Sequence, residues 1–338
     1  VIIGAGSAGC VLAARLSEDA ATRVLLLEAG PPDEAREIAI PAAFFSLFKG
    51  PYDWDYQTTP QQHADGRTLY WPRGRTLGGS SSINGMIYIR GNRVDYDGWR
   101  DTYGCDGWGY ADLLPYFRRA EDQQHGESAF HGVGGPLRVE DQRYRHPLNQ
   151  AWVEAARAYG LAANDDFNAG EQDGAGYLQV TQRRGRRWST ADAYLRPAAR
   201  RDNLTVETDA QVTRVLIEDG RAVGVRYLHA GEEREVRVQR EVIVSGGRST
   251  LRSSCCSPGS GLPTSSGGTA SMWSSTRPRS APAFRTIRSS PRCGARRTCA
   301  TSGKRSHPTT WRCGSGRGAG PWHPTAATAR PSRGAAPG

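Results

Sequence analysis

Val1-Ile2-Ile3-Gly4-Ala5-Gly6-Ser7-Ala8-Gly9-Cys10-Val11-Leu12-Ala13-Ala14-Arg15-Leu16 opens the chain, and its reading decides the fold. Three apolar residues read as the end of a buried parallel strand. Gly4-x-Gly6-x-x-Gly9 then predicts a tight turn, and Val11, Leu12, Ala14 and Leu16 fit a helix packed back on the sheet. The first glycine permits the turn, the second lets a pyrophosphate reach the backbone, and the third lets helix and strand approach closely. The helix N-terminus offers N–H groups and the positive end of its dipole to phosphate. Arg23-Val24-Leu25-Leu26-Leu27-Glu28 reads as a second buried strand ending in a carboxylate, 24 residues after Gly4 and placed to take a ribose hydroxyl. Strand, glycines, helix, strand and acid in that order predict a dinucleotide-binding α/β fold. The motif alone leaves FAD and NAD both open.

The 338 residues suffice for two domains and a large core. The chain starts inside a strand without Met, so a truncated N-terminus is expected. No secretory signal or long apolar run is visible, which predicts a cytoplasmic protein without a membrane span. A net charge of +10 suggests nucleic acid at first sight, but the charge is unevenly placed. Residues 1–247 carry 29 Lys+Arg against 34 Asp+Glu, whereas residues 248–338 carry 15 Lys+Arg and no acid. A basic-tail nucleic-acid binder is therefore disfavoured, since the tail holds no recognisable binding motif. Cysteine divides the same way, with Cys10 and Cys105 before the tail and five of the seven within it. The first 247 residues read as reduced, and the tail spacings match no zinc pattern.

Along the chain, Pro41-Ala42-Ala43-Phe44-Phe45-Ser46-Leu47-Phe48 reads as buried packing, and Asp53 to Pro60 as an extended segment. Pro147 to Gly160 reads as an amphipathic helix stopped by glycine. Asp165-Asp166-Phe167-Asn168 reads as a solvated loop rather than a metal site, and Ser189 or Thr190 as a helix N-cap. Strands are expected over Asn203–Thr208, Gln211–Glu218, Ala222–Tyr227 and Glu241–Ser245, with Asp219-Gly220 as a hairpin turn.

The second informative stretch is Trp71-Pro72-Arg73-Gly74-Arg75-Thr76-Leu77-Gly78-Gly79-Ser80-Ser81-Ser82-Ile83-Asn84-Gly85-Met86-Ile87-Tyr88-Ile89-Arg90-Gly91. Its glycines and serines offer N–H and hydroxyl groups to a diphosphate, and Asn84 adds an amide. Residues 74–91 resemble the first signature of the glucose-methanol-choline (GMC) oxidoreductases, FAD-dependent enzymes that oxidise alcohols. Arg90 to Trp99 is similar to the choline and aliphatic alcohol dehydrogenase branch. The resemblance implies that FAD is held by Gly4, Gly6, Ser7, Ala8, Gly9, Glu28 and Ala29. It adds Arg75, Gly78, Gly79, Ser80, Asn84, Gly85 and Met86 from the covering loop, and the backbone of Val212 at the adenine edge. Some members tether the flavin through a histidine at the position of Ile83, so the resemblance implies non-covalent FAD. It further implies a primary alcohol as substrate, with the electron acceptor open. An NAD-dependent Rossmann oxidoreductase is the alternative, and the 74–91 loop argues against it.

The expected organisation is an FAD-binding Rossmann-like domain over residues 1–115, a partial substrate domain and connecting segment over 116–202, and a return to the FAD domain over 203–247. Residues 248–338 hold only five Leu, Ile, Val, Met or Phe against ten Pro, too little apolar surface to offset the entropy of ordering. A message encoding Ser249 to Gly261 can be regrouped one frame off as Ile-Asn-Ala-Pro-Gln-Leu-Leu-Leu-Leu-Ser-Gly-Ile-Gly, which resembles the family's continuation. Ala281 to Arg288 regroups in the same frame to a sequence ending Asp-His-Pro, another family feature. A frameshift near Gly246-Gly247 is therefore expected. The resemblance places the catalytic base near the family C-terminus, and none of the seven histidines here sits in that motif, so the catalytic residues stay unassigned.

Overall fold

The computed structural model describes residues 1–247. The expectations for residues 248–338, including the frameshift and the tail cysteines, lie outside the described residues. The opening elements form where the sequence places them: β1 (Ile2–Ile3), α1 (Ser7–Leu16) and β2 (Val24–Leu27). They belong to a parallel sheet whose order is 243–244, β1, β2, 204–207. Ile2 is in register with Ile243 on one side and Leu26 on the other, and Leu27 pairs with Glu207.

Side-chain alternation divides this sheet between two cores. Ile2 and Leu26 pack with Cys10, Ala13 and Ala14 of α1 and with the π-helical turn Ala191–Leu195. Ile3 and Leu27 face the other way, against Ala210, Val215, Val225 and Tyr227. Leu26 and Leu27 are 0% and 1% exposed, and burying each stabilises the fold by roughly 1.5–3 kcal/mol. The buried face of α1 carries only Gly9, Cys10, Ala13 and Ala14, small residues that let the helix axis come close to the sheet.

The second layer is an antiparallel meander of Ala210–Glu218, Arg221–His229 and Glu232–Arg237. Asp219 and Gly220 both hold positive φ (+47° and +75°), the combination a two-residue hairpin turn requires. The third strand went unread in the sequence because Glu232-Glu233-Arg234-Glu235-Val236-Arg237 is exposed almost throughout and has no apolar face to mark it. Ser189 caps its turn reciprocally: Asp192 N donates to Ser189 Oγ at 3.2 Å, and Ser189 N donates to Asp192 Oδ2 at 2.9 Å.

Two expectations are corrected. In the 3-10 turn Pro41–Leu47, Leu47 is buried but Phe45 is 70% exposed, so this aromatic run is only partly core. Asp165–Asn168 is not simply solvated: Asn168 is buried and donates through Nδ2 to Tyr88 O at 3.1 Å, and Asp166 Oδ2 meets His131 Nε2 at 2.8 Å. The spacing of these residues hid the reason, which is a buried charged chain drawn from distant segments. Arg90 Nη2 meets Glu121 Oε2 at 2.5 Å, and Glu121 meets His131 Nδ1 at 3.0 Å.

Bonds to Asp166 and Glu121 push the His131 pKa up to about 9. A raised histidine pKa stabilises the fold fully below its unfolded value near 6.5, and that contribution is lost as pH rises through 9. Stability in urea should therefore fall by roughly 3 kcal/mol between pH 6.5 and 10. That part of the loss should be absent in His131→Gln, and a wild-type profile no steeper than the variant's over that range would contradict the assignment.

Candidate cofactor-binding site

Beyond the carboxyl ends of β1, β2 and the Ile243–Val244 strand lies a cleft of about 630 Å³, within the roughly 300–1,000 Å³ typical of small-molecule and cofactor sites. Gly4, Gly6, Ser7 and Ala8 form one wall, Glu28 and Ala29 the end of β2, and Gly79 and Ser80 a second wall. Val212 lines it from the meander.

The glycines are fixed by their neighbours. A Cβ on Gly9 would stand 1.9 Å from Gly4 O, which is why only glycine lets α1 turn so closely under β1. Gly4 has φ +91°, and a Cβ there would stand 2.8 Å from Gly246 Cα on the adjacent strand end. Ser245 Oγ seals that junction, standing 2.9 Å from both Ile3 O and Gly4 O, between which its single O–H is shared. A Cβ on Gly6 would meet nothing within 4 Å, so this position is open toward the cleft and leaves room for a phosphate over the α1 N-terminus.

Glu28 is 6% exposed, and both carboxylate oxygens already accept backbone N–H groups, from Ala5 at 2.8 Å and Gly30 at 3.0 Å. Burial pushes its carboxyl pKa up to about 7, opposed by those two N–H groups and by the Arg75 charge. Each oxygen keeps a second lone pair, so the carboxylate can still accept from ribose hydroxyls.

The 74–86 loop is anchored to the glycine turn. Gly78 N donates to Ala5 O at 2.8 Å, and a Cβ on Gly79 would stand 2.7 Å from Gly6 Cα. Arg75 turns back to Ala29 O at 3.1 Å and stacks over Trp54 at 5.3 Å, so it braces the wall without lining it. Gly78 likewise supports from behind. Gly9 is buried under the sheet. Asn84, Gly85 and Met86 stand apart from the residues that line this cleft. Met86 holds φ +61°, a left-handed conformation uncommon outside glycine. Ile83 is 2% exposed and packs with Ile38 and Leu47. Trp54, Tyr56, Arg73, Gln211 and Thr213 also line the cleft and were not singled out as ligands. They fall within the extended segment Asp53 to Pro60, the stretch Trp71 to Gly91 and the strand Gln211–Glu218, where no residue pattern marks them as ligands.

The sheet, glycine turn and covering loop together define an FAD-binding Rossmann-like oxidoreductase fold. Residues 1–264 match the family model described as GMC oxidoreductase, and the chain belongs to that family. It is similar to mitochondrial choline dehydrogenase of Mus musculus, 49% identical over 255 residues that cover 73% of this chain and 43% of the relative. It is also similar to the alcohol dehydrogenase [acceptor] of Pseudomonas putida, 45% identical over 73% of this chain and 45% of the relative. Among solved structures it resembles pyridoxine 4-oxidase from Mesorbium loti with a TM-score of 0.70, 39% identity, and coverage of 73% of this chain and 48% of that one. The chain spans less than half the length of these relatives. The cofactor of this family fold is FAD. Among the described residues no helix is long and apolar enough to cross a membrane.

Proposed function

We propose that residues 1–247 form the FAD-binding part of an enzyme that oxidises the CH–OH group of a primary alcohol, choline or an aliphatic alcohol, to the aldehyde. The observation that carries this is the cleft itself, where an open glycine at the α1 N-terminus and a buried carboxylate at the end of β2 face one space. Gly6, Ser7 and Ala8 would hold the diphosphate, Glu28 the adenosine ribose, and Val212 the adenine edge. Gly79 and Ser80 would lie along the diphosphate, and residues 81–86 of the loop would run on outside this cleft toward the flavin ring. FAD when bound supplies the hydride acceptor; this chain's residues bind and orient it.

The substrate class rests on the choline and alcohol dehydrogenase relatives. The partition into a segmented FAD domain (1–115 and 203–247) around a partial substrate segment (116–202) is part of the same proposal. The parallel sheet draws its strands only from the first and last of these segments. FAD binding is non-covalent, because the aliphatic side chain of Ile83 offers no nucleophile and is packed against Ile38 and Leu47.

The test is to load the 338-residue chain with FAD, record the visible spectrum, and precipitate with acid. A flavin band that passes wholly into the supernatant is expected. No flavin band would overturn the reading, and flavin retained in the pellet would overturn its non-covalent part.

A further inference from the structure

Arg187 lies behind the loop that runs toward the proposed flavin position, and the argument rests on that FAD reading. The residue is 3% exposed. Its Nε donates to Ile38 O at 2.8 Å, and Nη1 donates to Ser81 O at 3.0 Å and Asn84 Oδ1 at 2.9 Å. Nη2 is buried and meets no acceptor among the described residues. Asp192, the acid whose field reaches Arg187, is already occupied by Ser189 and Arg196. A buried guanidinium therefore stands behind this loop with no carboxylate of the described residues against it, an arrangement that is costly unless it serves something else.

Its effect on Asn84 is specific. Asn84 Oδ1 accepts from Arg187 Nη1 and also from Met86 N at 3.0 Å. Only the amide oxygen can take two donors, so the orientation of the side chain is fixed and its NH2 group is turned away from both. Asn84 is an exposed residue, and no hydrogen bond within the described residues engages that NH2 group. Met86 N also closes the left-handed turn at Met86, so one carbonyl oxygen ties guanidinium, amide and backbone together.

We propose that Arg187 is a positioning residue for the cofactor, holding the Asn84 amide so that its NH2 group donates to an oxygen acceptor of bound FAD. The uncompensated guanidinium favours an electron-rich acceptor at that point.

A double-mutant cycle tests this on the 338-residue chain, using Asn84→Ala, Arg187→Met and the pair, with dissociation constants for FAD from flavin fluorescence. Each single change is expected to weaken FAD about tenfold, the size of one charge-assisted hydrogen bond. The pair should weaken it no more than the worse single change, because both act through one contact. Arg187→Lys, which keeps the charge but not the fork, should fall between wild type and Arg187→Met. Losses that multiply to about a hundredfold would overturn the proposal. So would an Arg187→Met chain that melts at lower temperature yet binds FAD with unchanged affinity. If Arg187→Met does not fold, the cycle of Arg187→Lys with Asn84→Ala makes the same comparison. Parallel titration with ADP assigns the acceptor, since coupling seen with ADP places it on the phosphates and coupling seen only with FAD places it on the flavin ring. A wild-type chain that binds no FAD overturns the FAD reading as well; FAD binding with independent losses overturns this proposal alone.

Discussion

Gly9→Ala is expected to unfold the nucleotide layer, lowering stability by more than about 3 kcal/mol and removing FAD binding with it. The added methyl would stand 1.9 Å from the Gly4 carbonyl oxygen, and that atom belongs to backbone held by β1 on one side and α1 on the other. No rotamer change relieves such an overlap, so α1 must separate from the sheet and expose Cys10, Ala13 and Ala14. Gly6→Ala is the matched contrast. Its Cβ would meet nothing within 4 Å, and its extended backbone (φ −71°, ψ −167°) suits any residue. Stability should stay within about 0.5 kcal/mol of wild type, while FAD weakens at least tenfold because the methyl takes the space proposed for phosphate. Urea unfolding with flavin fluorescence separates the two effects. A Gly9→Ala chain of wild-type stability would show that the helix–strand approach is not as close as described.

The second large effect concerns turnover. The 338-residue chain loaded with FAD is expected to show no oxidation of choline or medium-chain alcohols with an artificial electron acceptor. Removing the hydroxyl proton needs a base held within hydrogen-bond reach, and among the described residues no histidine lines the cleft. His131, the most perturbed of the described histidines, is held between Glu121 and Asp166 and serves the fold. Positioned general acid–base catalysis contributes roughly two to four powers of ten, and lost orientation costs more. A chain that continues after Gly247 in the family frame to the length of its relatives should recover turnover by at least about four powers of ten. Robust oxidation by the 338-residue chain would refute this and point to a base among the histidines left unassigned.

The sequence made the nucleotide layer legible because its constraints are local. Gly9 answers a contact with Gly4 five residues earlier, Gly4 one with the adjacent strand end, Gly6 leaves space open at the α1 N-terminus, and Glu28 follows at the end of the next strand. The loop at 74–86 was legible as a motif, yet which of its residues face the cleft was not. Gly79 and Ser80 line it, whereas Arg75 and Gly78 support it from behind, a distinction set by bonds to Ala29 and Ala5 across some 46 and 73 positions of chain. The chain Arg90–Glu121–His131–Asp166 was invisible for the same reason. Each residue reads as ordinary surface charge until the fold brings four separate segments together. Arg187 belongs to this group too, since its three acceptors lie on segments more than a hundred positions earlier.

The central claim, that this chain is built around an FAD site, is tested most directly by titrating the purified 338-residue chain with FAD and, separately, with NAD. The account predicts saturable one-to-one binding of FAD with a perturbed flavin spectrum and no comparable affinity for NAD. Tight NAD binding with no flavin bound would contradict it.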